Sequence, residues 1–275
     1  TKPLNINGLD FKTLPSNRFV IESNEQYIDW RFNNTTLSKS QILLLDILNQ
    51  NASQRPICFA QTGQTTHKLN LDKYLMHSGL VSLLRFDKET RVNKNPLRVS
   101  TKFSYDLLVK ENPFQNKFLK GLQKDAEYVG LTQSVLRRQY YYLGQALLEE
   151  KDTISAKATV DYVTNMFPAR TITNGVYAFS LGKLYYRMGE KELGQSVVKS
   201  SINSYINKIE QYMSVTPKRP LIHRYHLDQF FNNLKGMINQ LQSYDAPLYK
   251  IYNNQFQTIY KRFKGYCIIN QLNTG

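Results

Sequence analysis

Cysteine is nearly absent from this chain: Cys58 and Cys267 are the only two in 275 residues, and they lie far apart. That excludes a disulfide framework and a cysteine-based metal pattern. Cys58 sits inside an apolar, strand-like phrase and reads as a buried small residue. Apolar runs of the roughly 18 residues needed to span a bilayer are also missing. The longest candidate, Ile42 to Leu48, is interrupted by Asp46, so a soluble chain is expected. The opening Thr1-Lys-Pro-Leu has neither an initiating Met nor the basic start, apolar segment and cleavage site of a signal peptide. A stretch of a longer protein, or a processed mature chain, reads this way. Acidic residues are scarce, 21 against 36 basic ones, for a formal charge of +15. Such a balance favours anionic partners, either an acidic membrane surface or nucleic acid. Blocks of five or six like charges are absent, and the densest basic phrases are Pro217-Lys-Arg-Pro220 and Lys261-Arg-Phe-Lys264. Charge this diffuse describes a solvated basic surface more readily than a binding tail.

Signatures of chemistry are equally sparse. The loop Gln61-Thr-Gly-Gln-Thr-Thr66 has one glycine, too few to cradle a phosphate, and Lys68 nearby does not change that. Asp72, His77 and Ser78 share a short stretch, but a triad is defined by geometry rather than by presence. No pair of carboxylates stands out for glycoside hydrolysis, and Glu22 and Asp46 read as surface or capping groups. His223 and His226 are three apart and share a helix face. A metal site needs a third ligand, and Asp228 points off that face. No helix-turn-helix, zinc-finger or RNA-recognition signature appears, so nucleic-acid binding rests on charge alone. The chain is read with no catalytic, cofactor-binding or metal-binding residue.

What is present is a foldable composition, 41% hydrophobic and 12% aromatic, in a chain long enough for one large or two medium domains. The first part alternates element types. Arg18 to Glu22 and Tyr27 to Phe32 are strand-like runs bounded by Asn and Ser. Ser38 or Ser40 caps a helix from Lys39 to Asn49, whose Ile42, Leu43, Leu45, Ile47 and Leu48 suit a largely buried face. Pro56 opens a short strand, Ile57 to Ala60. A short helix is expected from Leu71 to His77, stopped by Gly79. A strand over Leu80 to Phe86, a charged connector over 87–98 and a helix over Tyr105 to Lys110 follow.

After about residue 115 strand signals disappear and a weak repeat emerges. Tyr140-Tyr-Tyr-Leu-Gly144 resembles the first helix of a tetratricopeptide repeat, with Ala156 and Pro168 at the offsets of the tight crossing and the terminating proline. A second unit has Leu181-Gly182, Tyr185 and Gly194 at matching spacing, with a longer connector around Arg170 to Asn174. Small residues are needed there because a larger side chain would push the paired helices apart. A plain pair of helical hairpins is the alternative. Further helices are expected over Glu192 to Met213, Leu221 to Leu241 and Pro247 to Phe263, with Pro217 and Pro220 as breakers. If the pairs stack, inner-helix residues Arg137, Tyr141, Gln145, Lys183 and Tyr186 are candidates to line a basic, aromatic groove for an acidic peptide or a glycan. Tyr at helical spacing is otherwise packing material.

Several phrases together resemble a known family. They are Leu14-Pro-Ser-Asn-Arg-Phe19, the helix-like run at Lys39 followed by Ser53-Gln-Arg-Pro-Ile-Cys-Phe-Ala60, Tyr74-Leu-Met-His-Ser-Gly-Leu80, Arg91-Val-Asn93, Tyr105-Asp-Leu-Leu108 and the helices from Leu136 to Glu190. Across roughly residues 10 to 200 the chain is similar to the soluble C-terminal region of bacterial multi-pass membrane proteins that resemble GT-C glycosyltransferases, including protein O-mannosyltransferases. Cys58 stands where Tyr is usual, and His77-Ser78 where a more acidic phrase is usual, as in a divergent member. The resemblance implies a parent that transfers sugar from a lipid-phosphate donor on the outer membrane face. The acidic catalytic residue of such enzymes lies in an early loop that this sequence does not contain. It further implies a location on the periplasmic face of the inner membrane, with basic charge towards anionic headgroups and repeats that present an acceptor protein or organise partners.

The expectation is therefore an α+β chain: a small mixed α/β unit over residues 1–115, then an all-helical, tetratricopeptide-like unit over residues 116–275. Its expected role is that of a non-catalytic accessory domain. A free-standing helical-repeat scaffold is the alternative, and a nucleic-acid binder is a third reading.

Overall fold

The computed structural model of the protein describes residues 4–6, 9–11, 18–23, 26–31, 38–52, 54–60, 69, 71–86, 98–111, 126–167, 176–217, 219–270 and 272. The architecture is mixed, with small sheets in the N-terminal part and a run of helices after it. Two compact units are distinguished: residues 1–113 with 146–152, and residues 114–145 with 153–275.

In the first unit, β1 (Leu4–Ile6) pairs antiparallel with β2 (Leu9–Phe11), and β3 (Arg18–Ser23) with β4 (Gln26–Arg31). Helix α1 (Lys39–Asn51) follows, and Ser38 is its cap: Gln41 N–H donates to Ser38 Oγ while Ser38 N–H donates to Gln41 Oε1. This reciprocal box satisfies two of the amide donors that a helix start leaves open. A four-stranded sheet has the order β5 (Cys58–Ala60), β7 (Val81–Leu84), β6 (Leu75–Ser78), β8 (Arg98–Val99), antiparallel except for the parallel β6–β8 edge. Helix α2 (Thr101–Tyr105) runs on into a π-helical turn (Asp106–Lys110). The core gathers Ile21, Ile28, Leu45, Leu48, Leu71, Leu75 and Leu84.

Four expectations are corrected in this unit. Leu71 to His77 is not one helix: a 3₁₀ turn (Leu71–Tyr74) gives way to strand β6. Met76 and His77 pair with β7 on one side and β8 on the other. Ladder bonds on both sides outweigh the local helical pattern. Gly79 turns the β6–β7 hairpin at φ +60°, a conformation glycine adopts without a side-chain clash. The buried face of α1 runs through Gln41, Leu45, Leu48 and Ala52, leaving Leu43 and Ile47 exposed. Asp46 is buried rather than on the surface, and its Oδ1 accepts from Gln50 Nε2 at 2.7 Å. Cys58 is exposed, because β5 is an edge strand whose Cys58 and Ala60 face outwards while Phe59 turns in.

The second unit is built from α3 (Ala126–Glu149, its last four residues grouped with the first unit), α4 (Thr153–Met166), α5 (Val176–Arg187), α6 (Lys191–Met213), α7 (Pro220–Leu241) and α8 (Ala246–Ile269). Pro220 opens α7 at its first helical position, where a missing N–H costs nothing. Gly182 and Gly194 meet at the α5–α6 crossing. A Cβ on Gly194 would lie 3.1 Å from Gly182 O and 2.9 Å from the Tyr186 ring. The core of α5 to α8 runs from Phe179 through Val198, Ile202, Leu234 and Ile259 to Cys267.

Gln61 to Lys68, residues 87–97, Arg91 to Asn93, Pro168 and the connector at Arg170 to Asn174 lie outside the described residues.

Candidate functional site

The second unit holds a half-open cavity of about 490 Å³ among α3, α4, α5 and α6. Four helices contribute because each hairpin turns one face to the next. Arg137 comes from α3, Lys157, Asp161 and Thr164 from α4, Tyr185 from α5, and Ser196 and Ser200 from α6.

Asp161 organises the polar wall. Lys157 Nζ, one turn earlier, donates to its Oδ2 at 2.8 Å, and the Tyr185 hydroxyl donates to its Oδ1 at 2.6 Å. Thr164 Oγ1 lies 3.1 Å from the Tyr185 hydroxyl. Burial, reinforced by the bond to Asp161, pushes the Tyr185 phenol up, so it stays a donor across the physiological range. The hydrogen bond to Asp161 raises the Lys157 ammonium, and Glu190 adds to it from 3.8 Å. Arg137 is only 1% exposed. Its Nη2 donates to Phe167 O at 3.0 Å, and its guanidinium carbon lies 5.4 Å from the Phe167 ring centre. Burial lowers its pKa to about 10, which leaves it cationic at neutral pH. Arg137 and Lys157 in the lining stand against Asp161 within it and Glu190 beside it, so two cations meet two carboxylates.

Of the five groove candidates, Arg137 lines this cavity. Tyr141 packs its ring 5.8 Å from Tyr142 and 6.3 Å from Tyr177, and Gln145 is half-buried one turn along α3. Lys183 reaches α7, donating to Gln240 Oε1 at 2.6 Å, and burial lowers its pKa. Tyr186 donates to Asp245 Oδ2 at 3.1 Å, beside the Tyr244 ring. The sequence marks Tyr185 as a repeat position but not as a site residue, and marks neither Lys157 nor Asp161. The i,i+4 spacing of Lys157 and Asp161 was a signal for their pairing, but nothing local pointed to Tyr185 as a third partner.

The His223–His226 pair lies in an aromatic cluster. His223 Nε2 is 3.0 Å from the Tyr266 hydroxyl, and its ring centre is 5.2 Å from that of Tyr212. Asp228 instead binds Arg224 at 2.7 Å. Among the described residues no group of three or more His, Cys, Asp or Glu is placed to hold a metal.

Residues 6–101 match the family model described as TMEM260-associated domain 2, which points to a TMEM260-like family and a membrane-protein parent. The match falls within the first unit and stops short of the helical one. No curated protein and no solved structure matches the chain.

Proposed function

We propose that this chain is a non-catalytic, extracytoplasmic accessory part of a membrane glycosyltransferase-like protein, whose helical unit presents an acceptor protein or organises partners. The observation that carries this reading is the match of residues 6–101 to a TMEM260-associated domain. Among the described residues no helix is long and apolar enough to cross a membrane. The reading assigns bilayer-spanning segments and sugar transfer from a lipid-phosphate donor to the rest of the parent, and this chain to the periplasmic face of a bacterial inner membrane. The cavity supports a peptide partner: Ser196 and Ser200 offer hydroxyls to a backbone, and the Lys157–Asp161 pair offers polar groups of both signs beside them.

An immunoblot of fractionated native cells, with antibody raised against this chain, tests the reading. The expected band runs far above 32.1 kDa and stays with membranes through a carbonate wash. A freely soluble band near 32.1 kDa overturns the membrane parent. It would favour the second reading, a free-standing helical scaffold, which the stacked α3–α4 and α5–α6 hairpins and their cavity support independently.

A further inference from the structure

The start of α7, which follows Arg219, and the last turns of α8, which hold Lys261 and Lys264, are some forty residues apart in sequence yet belong to the same end of the α7–α8 hairpin. The Tyr266 hydroxyl donates to Val215 O at 2.7 Å, Arg224 Nη1 lies 3.4 Å from Cys267 Sγ, and Arg262 pairs with Glu210 at 2.9 Å. These contacts tie the start of α7 and the end of α6 to the end of α8. The same end exposes large aliphatic side chains. Leu221 is 82% exposed, Ile268 71% and Ile269 82%, with Ile222 and Tyr225 beside them in sequence. Leu221 and Tyr225 are one turn apart on α7, and Lys264 and Ile268 one turn apart on α8, so apolar and basic groups share a face.

The charge at this end is one-sided. Described residues 205–228 and 260–272 hold Lys208, Arg219, Arg224, Lys261, Arg262 and Lys264 against two carboxylates, Glu210 and Asp228. Both carboxylates are already engaged, with Arg262 and Arg224 respectively. Arg219, Lys261 and Lys264 are exposed.

We infer that this end of the α7–α8 hairpin docks on an anionic phospholipid surface. The aliphatic side chains would enter the headgroup–acyl boundary, Tyr225 would lie at headgroup level, and the cations would lie over lipid phosphates. Charge decides among the possible occupants. A second copy of the chain would bring like charge against like charge. A nucleic-acid backbone would satisfy the cations but leave Leu221, Ile268 and Ile269 in water. An anionic bilayer satisfies both, since interfacial binding adds buried apolar area to attraction by acidic headgroups. The inference rests on the proposed extracytoplasmic placement beside a membrane and adds which surface faces it.

Flotation of the purified 275-residue chain with lipid vesicles tests the inference. The chain is expected to float with vesicles of phosphatidylcholine containing about a third phosphatidylglycerol, and not with phosphatidylcholine alone, in line with the need for two cooperating signals. The combined Leu221→Ser, Ile222→Ser, Ile268→Ser, Ile269→Ser variant should lose about tenfold or more of its partitioning. Lys261→Glu with Lys264→Glu should do the same, whereas Ile251→Ser, an exposed aliphatic elsewhere on α8, should change nothing. Circular dichroism of each variant confirms retained helix, which is expected because the substituted side chains are exposed. Flotation that survives the four serines overturns the inference, as does concentration-dependent dimerisation relieved by them without vesicle binding. Binding to an oligonucleotide in preference to vesicles overturns it too. Failure here leaves the size and membrane retention of the native parent untouched, so the two proposals fail separately.

Discussion

At Gly194 a side chain has nowhere to go. Its Cβ would meet the Gly182 carbonyl and the Tyr186 ring, and a backbone oxygen inside a helix cannot swing aside. Gly194→Ala is expected to destabilise the chain by about 1–3 kcal/mol, the usual cost of overpacking. Gly236, inside α7, has nothing within 4 Å of an added Cβ. Gly236→Ala should stabilise by about 0.5–1 kcal/mol through helix propensity and reduced freedom of the unfolded chain. Urea unfolding of both variants checks the pair. Equal effects would mean that the close crossing does not govern stability. The need for small residues here was legible in sequence, because the spacing of Gly182 and Gly194 is a local property. Tyr186 was legible only as an aromatic. That it closes this crossing and bonds Asp245 depends on helices far away in the chain.

Between elements, Asp245 joins three helices. It caps α8 by accepting from Leu248 N–H at 3.1 Å, and its other oxygen accepts from Gln195 of α6 and Tyr186 of α5 at 2.6 and 3.1 Å. Burial would raise its pKa, but these donors outweigh burial and hold the carboxyl below its usual value. A carboxylate with a depressed native pKa contributes stability above its unfolded pKa and loses it as pH falls through the native one. Asp245→Ala should therefore cost about 1–3 kcal/mol at neutral pH, combining a lost cap with unsatisfied donors. Thermal melts below about pH 4 should show the gap between wild type and variant narrowing. A constant gap from pH 7 to pH 3 would assign the effect to shape rather than charge. Most helices of this unit were readable from periodicity and from the prolines at 217 and 220. The strand at Leu75–Ser78 was not, because its partners, β7 and β8, are decided by pairing across the sheet.

For the whole chain, 36 cations against 21 carboxylates mean self-repulsion in the compact state. Raising sodium chloride from about 20 mM to about 200 mM should shorten the Debye length enough to lift the melting temperature by roughly 2–4 °C, the shift that accompanies about 1 kcal/mol in a chain near this size. A differential scanning measurement reads this directly. A flat response would mean that the basic residues are spaced widely enough for their repulsion to be negligible. The excess is spread along the sequence, and at the α7–α8 end Arg219, Lys261 and Lys264 are exposed.

Several features followed from sequence alone: the change from mixed elements to helices, a serine cap at Ser38 or Ser40, the proline-marked break before α7, the small residues of the α5–α6 crossing and the sign of the net charge. Each is carried by residues within a few turns of one another, where propensity and periodicity act. Other features were decided only by tertiary structure. Asp46 became buried and Cys58 exposed, because burial depends on which face of an element a distant neighbour covers. Arg137, Asp161 and Tyr185 came to share one cavity, and Arg224 near the start of α7 came to lie against Cys267 near the end of α8. Such meetings arise from long-range packing and pairing, which no local pattern encodes.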